Sequence, residues 1–103
     1  MKTIRIFERA GAFAENKDVG REMRVQEIIP ALENGEEVTL DFEQVDAVTQ
    51  SFVHSLISDV LRKYGEGVLE RMAFKSCNDA VKQMIGIVVD YMQDAMEMEK
   101  KEK

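Results

Sequence analysis

Ser51, His54, Ser55 and Ser58 are the side chains of this chain best suited to chemistry. Counted from Ser51, the others stand three, four and seven positions on, a spacing that gathers all of them on one face of a helix. A serine beside a histidine suggests nucleophilic hydrolysis, in which the imidazole takes the hydroxyl proton. That reaction also needs an acid to orient the imidazole and N–H donors to hold an oxyanion. Neither a G-x-S-x-G elbow nor a Gly-rich oxyanion loop accompanies these residues. They read as a solvated polar face, and the expectation is that the protein is not an enzyme.

Asp41 and Asp46 could pair as carboxylates, and Asp41 closes a strand at the end where α/β proteins place functional groups. The competing role for such an aspartate is to accept backbone N–H bonds in the loop that follows. His54 and Cys77 stand 23 positions apart and form no ligand pair for a metal. Gly65, Glu66 and Gly67 lack both the lysine and the preceding strand of a phosphate loop. The sequence therefore calls for no metal and no cofactor.

A helix must carry the polar face, and its apolar counterpart is present. Phe52, Val53, Leu56, Ile57, Val60 and Leu61 form a stripe over residues 50–64, which Gly65 closes. Residues 38–42 before it read as a buried strand. Residues 3–7 alternate as a first strand; Gly11 turns the chain, and residues 12–14 return as an antiparallel partner in an N-terminal β-hairpin. A helix capped by Asn16 or Asp18 runs to about residue 33 and ends at Asn34 and Gly35. Pro30 inside it removes a hydrogen bond at a cost of about 3 kcal/mol, which predicts a kink or break near Ile29.

Residues 71–75 supply a last strand. A third helix follows over residues 78–96, with Ala80, Val81, Met84, Ile85, Val88, Tyr91, Met92 and Ala95 at helical spacing toward the core. Met84 and Met92 read as core, whereas Met96 and Met98 suit either core or an adaptable docking surface. Residues 97–103 are a charged tail expected to fray. Alternation of strand and helix requires crossovers and hence a mainly parallel sheet. The fold class is α/β: a small sandwich, N-terminal β-hairpin plus parallel strands covered by three helices, forming one domain over residues 1–96.

A chain of 103 residues, 45% of them apolar, suits a single core of this kind. One cysteine forbids an internal disulfide, and no apolar run approaches the roughly 20 residues of a membrane span. The expectation is a soluble cytoplasmic protein. Its net charge is −6, and residues 35–63 carry six acids against only Arg62 and Lys63. Most of the excess negative charge thus surrounds the strand-to-helix corner. An acidic corner repels a phosphate backbone and favours a basic protein surface.

The stretch Leu40, Asp41, Phe42, then Val45, then Ala47, Val48, Thr49, Gln50, Ser51, Phe52 resembles the STAS domain of sulfate transporters and anti-sigma-factor antagonists. It is more closely similar to the STAS-like family, and the likeness extends over about residues 3–90. Asp41 matches the first Asp of the antagonist motif, Val45 its Val, and Ser51 the second Ser of its Ser-Ser pair. Thr49 and Gln50 stand where antagonists carry Asp and the phosphorylated Ser, and Phe52 replaces a Gly. Ser51 followed by Phe52 is the STAS-like pattern. The resemblance implies a small STAS-like sandwich and a non-enzymatic regulatory module that docks a partner, such as a histidine-kinase-like ATPase.

The expected docking surface comprises Asp46, Thr49, Gln50, Ser51, His54, Ser55 and Ser58, with the acidic loop 43–46 at its edge. Phosphorylation at Thr49 or Ser51 would place roughly −1.5 to −2 charge at a helix N-terminus. Two other readings remain. One is a small-molecule or anion sensor at that terminus, although residues 25–61 hold no Lys or Arg. The other is a homodimeric scaffold built on the methionine-bearing last helix.

Overall fold

The computed structural model describes residues 2–101, apart from the side chains of residues 66 and 96–101. The elements in chain order are β1 (Lys2–Arg5), α1 (Ile6–Ala10), β2 (Phe13–Ala14), α2 (Lys17–Met23), α3 (Ile29–Glu33), β3 (Val38–Asp41), β4 (Ala47–Val48), α4 (Gln50–Tyr64), β5 (Met72–Lys75) and α5 (Asp79–Lys101). A π-helical turn over Arg24–Ile28 joins α2 to α3, and a 3₁₀ segment over Glu66–Arg71 leads into β5.

Strands β1, β3 and β5 form one parallel sheet with β3 in the centre. Val38 and Leu40 of β3 are fully buried, as a strand flanked on both edges and covered by helices requires. Helix α4 is central among the helices, packed against both α2 and α5. Its six expected core residues, Phe52, Val53, Leu56, Ile57, Val60 and Leu61, are all buried. This is a small α/β fold, with parallel strands as the alternation of elements required.

The N-terminal β-hairpin does not form. Residues 6–10 are helical instead, with Ile6 fully buried, so a fourth helix joins the three expected. The carbonyls of the following segment turn to the loop after β3: Ala12 O accepts from the N–H groups of Asp46 (2.7 Å) and Ala47 (3.2 Å), and Ala14 O from Thr49 (3.0 Å). Since backbone groups must be paired, these bonds make β2 the parallel partner of β4, with Phe13 opposite Ala47.

Pro30 acts as expected, through a specific device. In an α-helix its ring would meet the carbonyl of residue 26. The π turn immediately before it widens the backbone, and Ile29 N–H bonds to Arg24 O five residues back. At the other end of the chain, α5 continues through Lys101, beyond the boundary expected at residue 96. Met, Glu and Lys are strong helix formers, which carries the backbone into the tail. The side chains of Met96 and Met98 and the last two tail residues lie outside the described residues.

Candidate functional site

The corner between β3 and α4 is built by hydrogen bonds that begin at Asp41. Asp41 is only 6% exposed, and its carboxylate accepts from Glu43 N–H at 2.9 Å, which turns the chain. Asp41 therefore holds the loop. Phe42 N–H reaches across to Lys75 O, and Val45 N–H returns to Phe42 O. Gln44 completes the turn in the left-handed region at φ 69°. From the far side, Asn78 Nδ2 donates to Asp46 O at 2.8 Å, and the same residue's Oδ1 caps α5 by accepting from Val81 N–H. Pinned from both β2 and α5, the loop offers the exposed side chains of Glu43, Gln44 and Asp46 on a rigid frame.

Thr49 is the N-cap of α4. Its backbone is extended, and its hydroxyl accepts from Phe52 N–H at 3.2 Å. That hydroxyl is thus engaged and half-buried, whereas Gln50 and Ser51 in the first turn are exposed. Gln50, Ser51, His54 and Ser55 line a shallow depression of about 310 Å³, and Lys17 from the start of α2 completes it. The cation lacking from residues 25–61 of the sequence is therefore supplied from another element.

The expected solvated face does not extend down α4. Ser58 is 4% exposed and unavailable to a partner. Ser55 is half-buried, and its hydroxyl donates to Phe52 O at 2.5 Å. Arg24 donates to Ser55 O at 2.9 Å and pairs with Asp59 at 3.1 Å. Ser55 thus packs against α2 and the π turn, while Asp59 pairs with Arg24 and stays about half exposed. Of the residues expected to dock a partner, Ser58 is buried and Ser55 largely engaged, whereas Asp46, Gln50 and Ser51 are exposed and His54 is half-buried.

One exposed residue beside these could not be identified from helix spacing. Phe13 is 58% exposed while its neighbour Ala14 is fully buried. The two-residue alternation of a strand sends the small side chain inward and the aromatic outward, beside Ala47. The sequence held no signal for this, because only the pairing of β2 with β4 decides which of Phe13 and Ala14 turns inward.

Cys77 sits behind the corner, partly buried. Desolvation pushes its thiol pKa above the usual value, the Asp41 carboxylate adds to that rise, and Lys82 opposes it. Among the described residues no group of three or more His, Cys, Asp or Glu is arranged to hold a metal ion. No described helix is long and apolar enough to cross a membrane.

The architecture is therefore that of a small α/β domain presenting a pinned, acidic strand-to-helix corner. The chain belongs to the family described as the STAS-like domain of unknown function, whose signature matches residues 25–82, from the π turn to the first turn of α5. No curated protein and no solved structure matches the chain.

Proposed function

We propose that this chain is a non-enzymatic regulatory module that docks a protein partner through residues 43–46 and the first turn of α4. The observation that carries this reading is the exposure of Phe13 beside the pinned acidic loop and the free start of α4. An aromatic anchor on a rigid frame loses little conformational entropy on binding, and rim acids speed association with a basic surface. Membership of a STAS-like family makes a histidine-kinase-like ATPase the partner class to test first.

Ser51 is the favoured phosphate acceptor. It is exposed in the first turn, whereas Thr49 uses its hydroxyl as the helix cap. A phosphate on Ser51 would meet the helix dipole and Lys17. Incubation with the ATPase encoded nearest to this gene, plus ATP, followed by native and intact mass measurement, tests the reading. A one-to-one complex is expected, with or without one phosphate on Ser51. Absence of both a complex and added phosphate would remove it.

Lys17 also favours a second reading, an anion sensor in the same depression. A thermal-shift screen of nucleotides and oxyanions separates the two. Stabilisation by a ligand without any partner supports the sensor.

A further inference from the structure

Helix α5 carries two apolar stripes. Val81, Ile85, Val88 and Met92 are buried against the domain. One position before each stand Ala80, Met84, Ile87 and Tyr91, spaced four, three and four apart, which at 3.6 residues per turn is a second straight seam. Ile87 is 52% exposed, Tyr91 59% exposed, Ala80 exposed and Met84 half-buried. Ala80 and Tyr91 thus depart from the expected core face, because the domain covers only the stripe one position further on.

The border of this seam on the side away from the core is acidic. Asp79, Asp90 and Asp94 lie there, all exposed; Lys82 falls about half a turn from the seam but beside Asp79, so Asp90 and Asp94 carry the unopposed charge. From these placements we infer that the outer seam of α5 docks an amphipathic helix of a partner protein, one whose apolar residues are bordered by lysine or arginine. Such a helix buries its apolar face on Ile87 and Tyr91 while its bases meet the three aspartates. A second copy fits less well. Antiparallel pairing that sets Ala80 against Tyr91 also brings Asp79 of each copy toward Asp94 of the other. An anionic bilayer is repelled by the same acids.

The N-terminal end of this seam adjoins the corner through Asn78, but Ile87 and Tyr91 lie about two and three turns further along α5, and the inference does not rest on the docking role proposed for that corner. The probe is a labelled helical peptide of leucine and lysine with leucines at the seam spacing, titrated against the full chain by fluorescence anisotropy. Two controls accompany it: a scrambled peptide of identical composition, and a leucine and glutamate peptide of identical spacing. Both controls are expected to bind at least tenfold more weakly, and raised salt is expected to weaken the lysine peptide.

Ile87→Ser with Tyr91→Ser should reduce binding at least tenfold. Asp90→Lys with Asp94→Lys should reverse the preference in favour of the glutamate peptide. The second pair keeps the test decisive if the first lowers stability. Phe13→Ser and Ser51→Glu, which alter the other surface, should leave peptide binding unchanged. Equal binding of the scrambled peptide, or indifference to both variant pairs, overturns the inference. So does light scattering that finds a dimer which Ile87→Ser and Tyr91→Ser dissociate, because the seam then belongs to a second copy.

Discussion

Gly20 of α2 lies directly against Ser55 of α4. A Cβ built on Gly20 would overlap Ser55 Oγ and come within 3.2 Å of Phe52 O, so the two helices meet where one has no side chain. This approach lets Arg24 reach Ser55 O and Asp59, and it removes the middle of α4 from solvent.

Gly20→Ala is expected to destabilise the fold by up to about 2 kcal/mol net, because an overpacking cost of roughly 1–3 kcal/mol is offset by a gain of about 1 kcal/mol in helix propensity. Ser55→Ala removes the overlapping hydroxyl. The double variant should therefore be less destabilised than the two single changes added together. Denaturant melts of all four proteins provide the check; strict additivity would show that the contact is not tight.

Thr49→Ala should lower stability by about 1 kcal/mol through loss of the cap to Phe52 N–H, while Thr49→Asp should retain most of it. Thermal unfolding of the two variants compares them directly. Equal melting temperatures would mean that the cap contributes nothing.

Phe13→Ser should change stability by no more than about 0.5 kcal/mol, since the ring is largely in solvent. Binding to the cognate partner should fall at least about tenfold, equivalent to about 1.4 kcal/mol. Calorimetric titration of both proteins measures this, and an unchanged affinity would take Phe13 out of the docking surface.

Cys77 predicts a pH dependence. Its folded pKa is raised by burial, so the folded state holds the proton longer than the unfolded chain. The associated stability is complete below the ordinary thiol pKa and is lost as pH rises through the folded value. Relative to Cys77→Ala, the wild type should lose stability more steeply above about pH 9. Its alkylation at neutral pH should also be slower than that of a free thiol. Parallel slopes and ordinary alkylation would contradict the burial argument.

Legibility in the sequence followed the range of the interaction involved. Helix α4 was readable over its full length because six apolar residues recur at its period and Thr49 and Gly65 bracket it. Strand β3 was readable for the same local reasons, and the cap was narrowed to Asn16 or Asp18; Asn16 takes it, its Oδ1 accepting from Asp18 and Val19 N–H. Pro30 announced a distortion, since its missing N–H is a property of one residue. The hairpin was misread because Ile6 and Phe7 suit a strand and a helix equally, and only the carbonyls of Ala12 and Ala14 bonding to residues 46–49 settled their neighbours' path.

The candidate site divides along the same line. The amino-acid sequence by itself determined the parallel α/β class, the amphipathic α4, and an acidic corner with Ser51 and Gln50 at a helix start. Those features depend on periodicity, caps and formal charge, which act over a few residues. Tertiary structure alone decided that Ser58 is buried, that Lys17 faces Ser51, that Phe13 stands out beside Ala47, and that Tyr91 lies outside the core. Each of these depends on how far one element covers another. Helical spacing states which residues share a face, and packing states which faces solvent reaches.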